Sequence, residues 1–315
     1  MAKYLVTGGA GFIGSHLASA LLAGGETVRV LDNFATGRRE NLEFLRGAEI
    51  VEGDIRSYHI VRDAVQGMDY VLHLAALPSV PRSVRDPITS NEVNVVGTLN
   101  VLTAARDAKV RRLVYASSSS VYGSNRELPK REDMEPRPIS PYAVSKLAGE
   151  YYCRSFADIY GFETVVLRYF NVFGPRQSAR SEYAAVIPRF IQALLDGQAP
   201  TVFGDGSQTR DFTFVDNVVT ANLRACESAG AVGRVFNVAA GQQISLLDLL
   251  EALQRVTGKR VAPKFVAPRL GEVKHSSASV DRAREVLGYR PEVGFQEGLR
   301  RTVEAVARDS GSRQP

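Results

Sequence analysis

Immediately after a short apolar run, Tyr4-Leu5-Val6, the sequence sets glycines at three-residue intervals in Gly8-Gly9-Ala10-Gly11-Phe12-Ile13-Gly14. Where a strand turns into a helix, glycines at this spacing let backbone approach a pyrophosphate. The helix N-terminus then meets the phosphates with unpaired N–H groups and the positive end of its dipole. The pattern is Gly-x-x-Gly-x-x-Gly rather than Gly-x-Gly-x-x-Gly, and its place between a first strand and a first helix makes it informative. Such a loop opens a βαβ unit, so it commits the chain to a parallel sheet with crossover helices.

The sequence to about residue 170 agrees. Short β-branched runs, Tyr4-Leu5-Val6, Thr27-Val28-Arg29-Val30-Leu31, Tyr70-Val71-Leu72-His73-Leu74, Arg112-Leu113-Val114-Tyr115 and Thr164-Val165-Val166-Leu167, alternate with longer amphipathic stretches. Beyond about residue 175 the alternation loosens around the turn signals Gly204-Asp205-Gly206 and Gly241 and the prolines Pro263 and Pro268. The expected architecture is α/β: a Rossmann-type doubly wound parallel sheet over 1–175, then a smaller α/β substrate-binding lobe over 176–309, with some crossing of the chain between them. A tail is expected at 310–315.

Composition narrows the function classes. With 44% hydrophobic and 23% charged residues in 315, the chain has the balance of an ordinary globular protein. Its net charge of +5 is dispersed over 39 basic and 34 acidic residues, unlike the concentrated footprint of a nucleic-acid binder, and suits an anionic small molecule. Cys153 and Cys226 are too few for a disulfide framework and are expected as reduced thiols. No apolar stretch approaches the roughly 20 residues of a membrane-spanning helix. Met1-Ala2-Lys3 leaves no room for a leader before the first strand, so the cytoplasm is the expected compartment. His16, His59, His73 and His275 lack metal-ligand spacing, and no metal site is predicted.

The second strand ends at Asp32, near the distance past the glycines at which a carboxylate accepts from a ribose 2′-hydroxyl. That carboxylate would repel a 2′-phosphate and favours NAD over NADP, although Arg38 and Arg39 lie close downstream. Asp54, in Gly53-Asp54-Ile55, could accept from an adenine amino group or could cap a helix. Ser140-Pro141-Tyr142-Ala143-Val144-Ser145-Lys146 reads as a helix start, with Ser140 as N-cap and Pro141 first in the helix. Tyr142 and Lys146 then share a face. Tyrosine ordinarily titrates near pH 10, so making it a base near neutrality takes roughly 3 to 4 kcal/mol, which a nearby ammonium and a nicotinium charge could supply. Upstream, Ala116-Ser117-Ser118-Ser119-Ser120-Val121-Tyr122-Gly123 ends a predicted strand, where Ser118 could hold a reacting oxygen.

These residues resemble the extended short-chain dehydrogenase/reductase family and, more narrowly, its UDP-sugar 4-epimerases. The likeness also takes in His73-Leu74-Ala75-Ala76, Asn94 before Gly97-Thr98, Leu167-Arg168-Tyr169-Phe170-Asn171 and Arg210-Asp211-Phe212, and so runs over essentially the whole chain. It implies Tyr142 as general base, Lys146 as the group that lowers its pKa and binds the nicotinamide ribose, and Ser118 as partner of the sugar hydroxyl. It implies an NAD site of the glycine loop with Phe12, Ile13, Asp32, Asn33, Asp54, Ile55, Leu74, Ala75, Ala76, Asn94 and Phe170. Asn171, Ala185, Val186, Arg210 and Arg269 would surround the nucleotide-sugar, the arginines as clamps on its diphosphate. Ser276 lies where the family sets pocket width with a bulky tyrosine; a small residue there predicts room for an N-acetyl group. A homodimer is typical of the resembled family.

The expected reaction is interconversion of C4 epimers of UDP-glucose, and of UDP-N-acetylglucosamine, through a transient 4-keto sugar. Sugar-nucleotide 4,6-dehydratases carry an Asp-Glu pair where this chain has Ser119 and Ser120, which argues against water elimination. UDP-glucuronate epimerisation or decarboxylation is the alternative, since the basic residues around Ser79-Val80-Pro81-Arg82-Ser83 could meet a C6 carboxylate. A non-catalytic NAD-binding sensor is a third reading, weakened because such a module needs neither a base nor its activator.

Overall fold

The computed structural model describes residues 1–179, 184–268 and 274–311, with side chains through 308. Seven parallel strands form the central sheet: β1 (Lys3–Thr7), β2 (Thr27–Asp32), β3 (Glu49–Glu52), β4 (Tyr70–His73), β5 (Arg112–Ser118), β6 (Glu163–Tyr169) and the strand Val235–Val238. Their spatial order is Val235–Val238, β6, β5, β4, β1, β2, β3.

Both faces of this sheet are covered. That is why its inner strands read as continuous apolar runs instead of alternating ones. Tyr4, Val6, Val28, Val30, Leu72 and Val114 pack on one side, and Leu5, Leu31, Val71, Leu113 and Tyr115 on the other. The five expected strands are all present. Val235–Val238, which the looser second half of the sequence concealed, extends the sheet beside β6.

The strand order reverses between β1 and β4. The chain leaves β1 towards β2 and β3, then returns to β4 on the opposite side. At such a switch point the loops leaving neighbouring strands part in opposite directions and open a crevice at the carboxyl ends.

A separate core gathers Phe173, Phe190, Phe212, Phe214, Leu249, Phe295 and Leu299. Around it lie the helices Val186–Leu195, Leu246–Thr257 and Phe295–Gly311 and three two-stranded ladders. The helix Val215–Glu227 instead returns Val218, Val219 and Ala225 to the core of the large sheet. Backbone helix continues to Gly311, so the start of the stretch expected as a tail prolongs the last helix. Among the described residues no helix is long and apolar enough to cross a membrane, and no cluster of His, Cys, Asp and Glu is placed to hold a metal ion.

Candidate active site

A cleft of about 1010 Å³ opens at the carboxyl ends of the strands. Its glycine wall is built by contact. Gly8 has φ +71°, and a Cβ there would stand 2.8 Å from the backbone nitrogen of Ala75. A Cβ on Gly14 would stand 2.2 Å from the Gly8 carbonyl oxygen, so glycine is what lets the first helix, Phe12–Ala23, begin against the loop. Gly11 closes the turn by donating its N–H to the Gly8 carbonyl at 3.0 Å.

Asp32 ties that loop to β2. Its carboxylate accepts from Ala10 N at 2.9 Å and Phe34 N at 2.8 Å, while burial raises its pKa. It lines the cleft together with Asn33 and Ile55. Arg39 is drawn to Glu52, its Nη2 donating to both carboxylate oxygens at 2.8 Å, and lies 4.0 Å over the Phe34 ring, and Arg38 pairs with Glu40 at 3.4 Å. The two cations that kept NADP open are thus engaged with acidic partners.

Beneath Leu74, Ala75 and Ala76, which also line the cleft, His73 is locked between two threonines. Thr98 Oγ1 donates to Asn94 O at 2.6 Å, so it accepts from His73 Nε2 at 3.0 Å, and Nδ1 is left to accept from Thr7 Oγ1 at 2.7 Å. Burial lowers the imidazole to about 3 and keeps it neutral. Thr7 Oγ1 in turn accepts from Leu74 N and Ala75 N, both at 3.2 Å, which shapes the loop leaving β4.

The helix Pro141–Tyr160 starts as expected: Ser140 Oγ caps Ala143 N at 3.2 Å, and the helix stops at the left-handed Gly161. The N–H of Tyr142 is held by Ser83 Oγ at 3.0 Å, from the separate short helix Val80–Arg85. Ser118 at the end of β5, Tyr142 and Lys146 all line the cleft. Burial raises the Tyr142 pKa, and the Ser118 hydroxyl acts against that rise.

Lys146 Nζ donates to Ala116 O at 2.9 Å and stands 5.0 Å over the Tyr115 ring. Burial lowers it to about 8, with Cys153 and Glu150 opposing the fall. Glu150, one turn further on, forms a buried bidentate pair with Arg168 of β6 at 2.9 and 2.7 Å.

Asn171, Ala185, Arg210 and Ser276 line the cleft too. Ser276 faces it, whereas Ser277 is buried and accepts from Gln243 at 3.1 Å. Val186 lines an adjoining cavity of about 650 Å³, to which Asn171, Ala185 and Arg210 also contribute.

Two expected residues stand behind the wall, and a third, Asp54, is held at the surface beside it. Asn94 holds the Leu77 backbone at 2.8 Å and Ser145 Oγ at 3.0 Å. Phe170 is fully buried against Tyr122. Asp54 binds Asn33 and Arg56, both at 2.8 Å, and the following helix is preceded by Ser57, so Asp54 is not its cap. Arg269 lies outside the described residues.

The profile of the NAD dependent epimerase/dehydratase family matches residues 4–239. A UDP-glucose 4-epimerase of Mycolicibacterium smegmatis is 44% identical over 312 residues, 96% of this chain and 97% of the relative. This chain belongs to that family. It is an isomerase of the UDP-sugar epimerase kind, and NAD is its cofactor.

The crystal structure of a Thermotoga maritima UDP-glucose 4-epimerase with UDP-glucose superposes with a TM-score of 0.94 at 38% identity, covering 98% of this chain and 99% of that one. A UDP-N-acetylglucosamine 4-epimerase of Methanobrevibacter ruminantium, in complex with UDP-N-acetylmuramic acid, gives the same score, identity and coverage. The glycine cradle fits the dinucleotide of the family, since Gly8, Gly11 and Gly14 line the cleft at the start of the first helix and place no side chain between the backbone and the space its phosphates need. The sequence reading passed over Ser83 and the His73 relay. Neither has a local signature, because each works through a partner tens of residues away.

Proposed function

We propose that the protein interconverts the C4 epimers of UDP-glucose and UDP-galactose, and of their N-acetylamino counterparts. The observation that carries this is the meeting of Ser118, Tyr142 and Lys146 in one cleft, with serines at 119 and 120 in place of a carboxylate pair. NAD, when bound, supplies the acceptor for the C4 hydride and its return.

The chain's own residues do the rest. Tyr142 takes the proton of the sugar 4-hydroxyl and later gives it back. Ser118 donates to the reacting oxygen, and Lys146 presents the positive charge that favours the phenolate. Arg210 offers a planar set of donors to the diphosphate. Small Ser276 supports acceptance of the N-acetyl group, and by this reading Asp32 accepts from the adenosine ribose.

Purified protein without added reductant is the test, with C4 epimers resolved chromatographically. Turnover of UDP-glucose and UDP-N-acetylglucosamine is expected, falling by about 10²–10⁴-fold in Tyr142→Phe. Conversion of UDP-glucuronate alone would overturn the neutral-sugar reading in favour of the cleft-lining Arg82 as a carboxylate partner.

We also infer a homodimer across the outer face of the helix Pro141–Tyr160. There Val144, Tyr151 and Ile159 are 53%, 59% and 70% exposed, an apolar stripe that a second copy would cover.

A further inference from the structure

Ser118 is saturated on its acceptor side. It precedes the short 3-10 turn Ser119–Tyr122, and its oxygen accepts from the backbone N–H of Ser120 at 3.2 Å and from the Ser120 hydroxyl at 2.9 Å. A serine hydroxyl has two lone pairs and one proton. With both lone pairs occupied by one neighbouring residue, Ser118 has its proton alone to offer.

We propose that Ser120 is a positioning residue whose hydroxyl makes Ser118 an obligate hydrogen-bond donor, aimed at Tyr142 and at the substrate oxygen that meets it. The inference rests on the reading of Ser118 and Tyr142 as the reacting pair. A Ser118 rotor with a free lone pair would have two choices. It could donate, or it could accept the sugar O–H and so compete with Tyr142 for the proton that must leave. Chelation by Ser120 removes the second choice before substrate arrives, which is preorganisation of a donor towards the oxygen where negative charge develops.

Three further observations support it. The Ser118 hydroxyl acts to lower the Tyr142 pKa, the direction expected of a group that donates to the phenolate. The Ser120 backbone is itself held, its carbonyl accepting from Gly123 N at 3.1 Å, and the next two residues, Val121 and Tyr122, are buried, so the chelate geometry is fixed by the turn. Ser120 lines the cleft beside Ser118. Its position is the one a dehydratase gives to a carboxylate, so a hydroxyl here does different work: it orients the catalytic serine.

The test compares Ser120→Thr with Ser120→Val in the full-length protein, two side chains of equal shape of which one keeps the hydroxyl. Kinetics on whichever sugar the wild type converts are read beside the ultraviolet titration of the Tyr142 phenolate, isolated by difference against Tyr142→Phe in each background. The threonine variant should stay within about twofold of wild type. The valine variant should lose about three- to tenfold in kcat with KM unchanged, the fold-change of one neutral hydrogen bond, and its Tyr142 should ionise at higher pH. Equal kcat and equal titration in the two variants would overturn the proposal. So would a valine effect confined to KM, which would make Ser120 a substrate contact. Absence of any wild-type turnover would sink the functional reading, and the titration would still decide the role of Ser120.

Discussion

Lys146 shows what a single residue contributes to function at the expense of stability. Burial holds its ammonium at about 8, below the ordinary 10.5 of a lysine in an unfolded chain. Between those values the folded protein binds fewer protons than the unfolded one, so stability from this group rises with pH across the window, and at pH 7 the full penalty stands. Lys146→Met should therefore melt at a higher temperature than wild type at pH 7, a gain of up to about 3 kcal/mol that narrows as pH climbs towards 10. The same variant should lose turnover. In the wild type, kcat/KM should fall as pH rises past about 8, where the charge is lost; calorimetry and a pH–rate profile check the two halves.

Gly14 makes a second case at this scale. Gly14→Ala drives a methyl to 2.2 Å from the Gly8 carbonyl, and an overpacking penalty of about 1–3 kcal/mol is expected together with loss of NAD binding by isothermal calorimetry.

At the scale of elements, the active site depends on how the helix Pro141–Tyr160 is pinned to β5 and β6. Ser117 on β5 and Arg168 on β6 both reach Glu150 on that helix, and the guanidinium also lies 4.7 Å over the Tyr122 ring. A buried pair of this kind is costly to break because one charge is left without its partner. Arg168→Ala should destabilise by about 3–5 kcal/mol in denaturant titration, and the double change Glu150→Leu with Arg168→Met should recover most of that loss. Recovery of stability without recovery of activity would assign the pair to holding the catalytic helix in register.

At the scale of the whole molecule, Asp211 joins segments far apart in the chain. Fully buried, its carboxylate accepts from Ala240 N at 2.9 Å and from Gly241 N and Ala278 N, both at 3.1 Å. Its neighbours in sequence or space, Arg210 and Ser276, line the cleft. Asp211→Asn turns an amide NH2 towards converging N–H donors, so about 1–3 kcal/mol of stability should be lost. KM for UDP-sugar should rise well beyond any change in kcat, as steady-state kinetics would show. The apolar stripe makes a prediction of its own: sedimentation should show a dimer, and Tyr151→Glu with Ile159→Glu should yield the monomer.

Features carried by local chemistry were legible in the amino-acid order alone. Glycine spacing after a strand, a serine and proline opening a helix, and a tyrosine and lysine one turn apart all act within a few residues, where backbone geometry leaves little choice. Buried parallel strands likewise announce themselves as apolar runs. Tertiary structure alone decided the rest. It brought Val235–Val238 to the sheet, set Ser83 against the Tyr142 N–H, and chose the neutral tautomer of His73 through Thr7 and Thr98. It also placed Asn94 and Phe170 behind the cleft wall. In each of those cases a donor must find its acceptor, or an apolar side chain its partners, across tens of residues, and that pairing exists once the chain has closed on itself.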